Sequence, residues 1–144
     1  MHKSINNLNL IQKLLKEKTK ENKIPKIVAV SKTFPISDIK PLLEYGHVDF
    51  GENKIQEALD KWLLVKRNFD SIKLHMIGKL QTNKVKFLIP LFDYFHSLDN
   101  LKLARKIAEE EIKKKIKIKI FIQVNICNED QKNGVIVDYL VDSY

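Results

Sequence analysis

The chain has 144 residues, with 26 Lys+Arg against 18 Asp+Glu and a net charge of +8; 44% of its residues are hydrophobic and 31% are charged. That apolar share excludes a mainly disordered chain, and the length suits one domain with a real core. A single cysteine, Cys127, excludes an intramolecular disulfide framework and any multi-cysteine zinc site.

Leu8, Ile11, Leu14 and Leu15 fall at helical spacing and predict an amphipathic helix over Asn6–Lys20. Pro25 leads into Ile27-Val28-Ala29-Val30, too short for a helix and β-branched enough for a buried strand. Ser31-Lys32-Thr33 ends that strand, and Pro35 bars its continuation in a ladder. Ser37 is placed to cap a helix from Asp38 to Tyr45, which Gly46 stops. Val48-Asp49-Phe50 reads as a second strand, and Gly51-Glu52-Asn53 turns into a helix carrying Ile55, Ala58, Leu59 and Trp62. Lys73–Ile77 is a third strand ended by Gly78, followed by a helix over Leu80–Leu88 that Pro90 closes. Phe92–Ser97 is a fourth strand, and Asp99 is expected to cap a helix with Leu101, Ala104, Ile107, Ala108 and Ile112 on one face. Ile116–Val124 is the fifth strand, ended by Asn125.

Strand starts recur every ~21 to ~25 residues with a helix between, so the strands are expected to be parallel and joined by right-handed crossovers. Two architectures fit, an open doubly wound sheet and part of a (βα)8 barrel. The first strand–helix turn lacks G-x-G-x-x-G, which weakens a nucleotide-binding sheet. Polar residues follow the strands instead: Lys32, Asn53, Gln81 with Asn83, and Ser97 with Asp99. A barrel gathers such residues at its C-terminal mouth.

The lysine excess raises the question of a nucleic-acid partner. Only Arg67 and Arg105 are arginine against 24 lysines, and those lysines are spread along the chain, so a solvated surface is the simpler account. No apolar run approaches the ~18 residues of a membrane span, and the first residues lack the apolar segment of a signal peptide. The expected setting is the cytoplasm, with no membrane partner.

Lys32 is the most informative position. A lysine at the end of an apolar strand is expected to be partly desolvated, which favours a nucleophilic neutral amine able to condense with an aldehyde. From position alone, a lysine that snorkels to the surface is the simpler account. His75 is expected to be a hydrogen-bonded core or mouth residue, with His96 of the next strand near it. Two histidines without an assigned carboxylate are weak evidence for zinc, and no metal site is expected. Glu52 and Glu57 are read as surface positions on the helix after the second strand. Cys127 has no helix start beside it to activate the thiol and is read as inert.

Five blocks in order resemble the pyridoxal phosphate homeostasis proteins, single-domain relatives of the alanine racemase N-terminal barrel. They are Ala29-Val30-Ser31-Lys32-Thr33 with Pro35; Phe50-Gly51-Glu52-Asn53 with Gln56-Glu57; His75-Met76-Ile77-Gly78-Lys79-Leu80-Gln81-Thr82-Asn83-Lys84; His96-Ser97-Leu98-Asp99; and Gln123-Val124-Asn125 with Lys132-Asn133-Gly134. The resemblance covers Ile27 to Gly134 and implies an α/β fold, the N-terminal portion of a (βα)8 barrel, holding pyridoxal 5′-phosphate (PLP) as an internal aldimine on Lys32. It also implies that Asn53 sits beside the cofactor and that His75, Asn83 and Lys132 line or support the mouth. The implied role is a carrier in cofactor homeostasis with PLP-dependent apoenzymes as recipients. The alternatives are a racemase-like or lyase-like enzyme using the same imine, which needs an opposing base for which no candidate is evident, and a non-functional fragment of the family.

Two positions depart from the family pattern. Phe34 stands where a second lysine is usual, and Lys54 where a tyrosine follows Gly-Glu-Asn. A barrel typically needs ~250 residues, with its phosphate site after strands seven and eight. The resemblance therefore implies an incomplete barrel over 1–144, with a first helix at 6–20, βα units at 27–134 and an atypical tail at 135–144. Such a chain keeps the covalent anchor, lacks the phosphate cup, and leaves sheet edges through which it could self-associate.

Overall fold

In the computed structural model, which describes residues 1–138, an N-terminal helix precedes a singly wound parallel sheet. Helix α1 (Lys3–Lys18) starts three residues before the predicted bound because the His2 ring accepts from the Ser4 amide. It stops two residues early, where the Thr19 amide and hydroxyl both bond Leu15 O. Of its apolar stripe, Leu8 is buried and Ile11 and Leu14 are exposed.

The βα units follow in order. They are β1 (Ala29–Val30), α2 (Ile36–Glu44), β2 (Asp49–Glu52), α3 (Ile55–Asn68), β3 (Lys73–Met76), α4 (Val85–Leu91), β4 (Tyr94–Leu98), α5 (Leu101–Lys114) and β5 (Lys119–Ile122). A short pair, β6 (Val124–Asn125) and β7 (Val135–Ile136), closes the described chain. Neither predicted side-chain cap forms. Ser37 lies inside α2, whose N-cap is Pro35. For α5 the cap is Asn100, which accepts from Leu103 N at 2.8 Å, while Asp99 accepts from the Asn100 amide. The fifth strand is shorter than its apolar run. Ile118 is buried and bonds the Glu111 carboxylate through its amide, and the ladder begins only at Lys119.

All five main strands are parallel, and their spatial order is β1-β2-β3-β4-β5. A doubly wound sheet reverses direction at a switch point; this order never reverses, which is the winding of a barrel wall. One face packs on the helices. Phe50, Leu74, Met76 and Phe95 from the strands are fully buried with Ala58 and Trp62 of α3, Val85 and Leu88 of α4, and Leu103 and Ile107 of α5. Each valine, leucine, isoleucine, methionine or phenylalanine among them contributes ~1.5–3 kcal/mol by leaving water. The opposite face, which would be a barrel's lumen, is open: Val30 is 49% and Phe121 52% exposed. Among the described residues no helix is long and apolar enough to cross a membrane.

Candidate functional site

The register aligns the open face in layers. Val30 pairs with Gly51, Gly51 with His75, and His75 with Tyr94. Side chains alternate along strands, so the next residues on this face lie one step nearer the carboxyl ends. They are Lys32 in the turn after β1, Asn53 and Ile77 just past β2 and β3, and His96 within β4. Two residues beyond the Val30–Gly51 pair, Lys32 and Asn53 leave their strands at the same level.

Lys32 sits in the β1–α2 turn. Ser31 N bonds Gly51 O at 2.9 Å, and Phe34 N returns to Ser31 O at 3.2 Å. Thr33 has φ +67°, the left-handed region. That is the third position of a β-turn, which type II turns reserve for glycine, and a β-branched residue there is strained. Lys32 is exposed, contrary to the partly desolvated amine expected of a strand end, because it leaves the sheet on the open face. Among the described residues it has no hydrogen bond or ion pair.

Asn53 is half-buried, and its Oδ1 is shielded from solvent without a hydrogen-bond partner. Its backbone is pressed against Gly78, where a Cβ would stand 2.2 Å from Asn53 O. The glycine after β3 thus exists to let the third strand's exit approach the second's.

His75 is buried and connects two layers. Its Nε2 lies 2.9 Å from Asp49 Oδ1 and its Nδ1 lies 2.9 Å from His96 Nε2. Its ring stacks on Tyr94 at 4.3 Å with 1° between planes, and His96 stacks on Phe121 at 4.7 Å. Burial, and then the charge of His75, hold the His96 pKa below the ordinary imidazole value. The sequence reading assigned His75 no carboxylate; Asp49 of β2 is that partner. Among the described residues no group of three potential ligands is suited to a metal ion.

Asn83 and Lys132 stand apart from this layer. Asn83 is exposed on the 3₁₀ turn Thr82–Lys84 and lines a cleft with Lys102, Arg105 and Lys106 of α5. Lys132 is exposed in the loop between β6 and β7, paired with Glu129 at 2.8 Å. That loop reaches the mouth through its neighbour Asn133, whose Oδ1 accepts from Lys79 Nζ at 3.3 Å.

A buried ionic cluster lies directly behind the Lys32 turn. Glu52 is in β2 and fully buried, not on a helix surface. Its Oε1 accepts from Ser31 Oγ at 2.7 Å, Lys61 Nζ at 2.9 Å and Trp62 Nε1 at 2.8 Å. Lys61 also donates to Ser31 O at 2.8 Å and Glu57 Oε1 at 3.1 Å, so the ammonium's three protons have three acceptors. Glu57 in turn accepts the Thr33 amide, and that bond, with help from Lys61, holds its carboxyl below the usual range against a smaller desolvation effect. The i,i+4 spacing of Glu57 and Lys61 was the one signal of this cluster in the sequence.

No protein-family model matches the chain. Individual proteins do. The pyridoxal phosphate homeostasis protein of Haemophilus influenzae is 36% identical over 133 residues, covering 90% of this chain and 56% of the relative. The structure of PipY from Synechococcus elongatus PCC7942 without PLP superposes with a TM-score of 0.81 at 27% identity, covering 93% of this chain and 60% of that one. PipY with PLP bound gives a TM-score of 0.72 at 28% identity, covering 81% of this chain and 54% of that one. Alanine racemase of Clostridium difficile 630 shares the fold at 18% identity, with a TM-score of 0.65 over 92% of this chain and 34% of that one. The chain spans a little over half the length of the curated relatives it matches. Over that span, identity to the curated relatives and superposition on PipY agree: the chain is similar to pyridoxal phosphate homeostasis proteins over about nine-tenths of its own length.

Proposed function

We propose that this chain binds pyridoxal 5′-phosphate as a Schiff base on Lys32 and serves cofactor homeostasis, holding the aldehyde for PLP-dependent apoenzymes rather than turning over a substrate. The observation that carries the reading is the register: two residues past the Val30–Gly51 pair stand Lys32, an amine free of partners among the described residues, and Asn53, a shielded amide oxygen with an unfilled hydrogen bond. When bound, PLP supplies an aldehyde that condenses with an amine and releases water. Around it, Asn53 would take a polar edge of the ring, and the His75–Tyr94 and His96–Phe121 stacks would offer flat walls. His75, Asn83 and Lys132 are proposed as supports, with Asn83 and Lys132 acting from the periphery. PipY with PLP bound and the names of the curated relatives support the cofactor and the role. A free, exposed Cys127 suits the reducing cytoplasm.

Incubation with PLP, borohydride reduction and peptide mass analysis test the reading. One phosphopyridoxyl group on Lys32 is expected, and Lys32→Ala should remove it. Label spread over many lysines, or undiminished in Lys32→Ala, would overturn it.

A further inference from the structure

The residues on both sides of Lys32 are held by groups that never reach the mouth. On one side, Ser31 is fixed by its hydroxyl to Glu52 at 2.7 Å and by its carbonyl to Lys61 at 2.8 Å. On the other side, Thr33 sits at φ +67° with its amide bound to Glu57. A β-branched residue keeps a left-handed backbone only where its surroundings over-determine it. Here the surroundings are one continuous cluster, because Lys61 bridges Glu52 and Glu57 at 2.9 and 3.1 Å. Lys61 and Glu52 are almost wholly shielded, with side chains 8% and 0% exposed, so water does not compete for these bonds.

We infer that Glu57 is a positioning residue for Lys32, acting through the Thr33 amide and anchored by Lys61 and Glu52. The inference rests on the reading that Lys32 is the amine that meets PLP, and it adds what aims that amine. Lys32 has a long flexible stem, and its own contacts do not orient it. The direction in which it leaves the backbone is set by the turn, and the turn is set by the clamp. Releasing the Thr33 amide lets the turn relax toward an ordinary conformation and swings the Lys32 Cα–Cβ bond away from the level at which Asn53 leaves its strand.

Two variants separate positioning from mere folding. Glu57→Ala removes the acceptor; Glu57→Gln keeps a carbonyl oxygen for the Thr33 amide and loses only the charge. Glu57 is partly exposed at the start of α3, so both are expected to fold. The first readout uses the protein without cofactor: hydrogen exchange at the Thr33 amide should speed up at least about tenfold in Glu57→Ala and return close to wild type in Glu57→Gln. The second is the rate of borohydride-trapped labelling at Lys32 with limiting PLP, which should fall about tenfold in Glu57→Ala and recover in Glu57→Gln. Wild-type exchange at Thr33 in Glu57→Ala, or wild-type labelling of Lys32 despite a released amide, overturns the inference while leaving the PLP reading intact. Failure of the wild-type protein to label at Lys32 overturns the PLP reading, and the inference with it.

Discussion

His75 Nε2 and Asp49 Oδ1 stand 2.9 Å apart on adjacent strands, and both side chains are almost fully buried. A carboxylate only accepts, so a neutral His75 carries its proton on Nε2. Its Nδ1 is then left to accept from His96 Nε2–H, also at 2.9 Å. The chain of bonds thus runs from the interior to the layer that holds Lys32. Asp49→Asn keeps the shape and loses the charge; it should lower stability by ~1–3 kcal/mol, read as a lower urea midpoint. An unchanged midpoint would show that the pair holds nothing together.

The same chain makes stability depend on pH. His96 is held below its ordinary pKa by burial and by the charge of His75. The unfolded chain therefore takes up this proton first, near pH ~6.5, and stability falls as pH drops below that value until the folded-state pKa is reached. Urea midpoints measured from pH 7.5 down to 5.5 should decline in the wild type, and His96→Asn should flatten the decline. Parallel profiles for the two proteins would rule His96 out as the source.

Glu52 and Lys61 form the most shielded lysine–carboxylate pair among the described residues. Breaking such a pair from one side strands the other charge, at a cost of ~3–5 kcal/mol. Lys61→Met should therefore be far more damaging than the outward Lys40→Met on α2, whose pairing with Glu44 is exposed on both sides. A double variant, Lys61→Met with Glu52→Gln, should recover part of the loss, because the fully buried carboxylate is then neutral and only the partly exposed Glu57 loses its lysine. Thermal or urea unfolding of the three proteins decides it; a double variant weaker than Lys61→Met alone would contradict the argument.

What the sequence made legible is local, and what it concealed is paired over distance. Apolar runs and punctuating prolines and glycines were enough for parallel strands alternating with helices and for Lys32 at the end of the first; they left a doubly wound sheet and a barrel both standing, and the motif blocks implied the barrel. Glu52 looked like a surface residue because its burial comes from Ser31, twenty-one positions earlier, and from Lys61 and Trp62 on the next helix. Asp49 as the partner of His75 depends on the β2–β3 register, which no local pattern encodes. Asn100 displaced Asp99 as the α5 cap because its Oδ1 reaches the Leu103 amide. Lys32 proved exposed because burial depends on what covers the open face, and strand position does not report that.

Gly78 and Gly46 test two different reasons for glycine. At Gly78 a Cβ would meet Asn53 O, Cα and C at 2.2, 2.7 and 2.8 Å, all backbone atoms that cannot swing away. At Gly46 a Cβ meets nothing within 4 Å, but φ is +91°. Gly78→Ala should thus push the Asn53 exit off its layer and cost ~1–3 kcal/mol or more by overpacking. Gly46→Ala should cost only the ~1 kcal/mol of a strained backbone. Urea midpoints rank the two, and amide chemical shifts around Asn53 should move in Gly78→Ala alone. Equal effects would mean that close approach at Gly78 is not what matters there.

The loop bearing Cys127 and Lys132 hangs on Asn125. Its buried side chain donates to Glu129 O at 2.9 Å and to Lys132 O at 3.5 Å, and accepts from Glu129 N at 3.3 Å. Gly134, at φ +125°, lets the returning strand pass within 2.8 Å of Asn125 N when measured to an added Cβ, so the loop closes on itself with no room for a side chain there. Asn125→Ala removes every one of those side-chain bonds and should cost ~1–2 kcal/mol locally. Global unfolding should change little, because Asn125 lies in the short β6–β7 pair outside the five-stranded sheet. The loss should instead appear as faster exchange at the Glu129 amide and faster tryptic cleavage after Lys132. Asn125→Asp, which keeps the acceptor for Glu129 N and loses both donors, should fall between the two. Cleavage after Lys132 at the wild-type rate in Asn125→Ala would mean that the Lys132–Glu129 ion pair and the Lys79–Asn133 bond hold the loop without it.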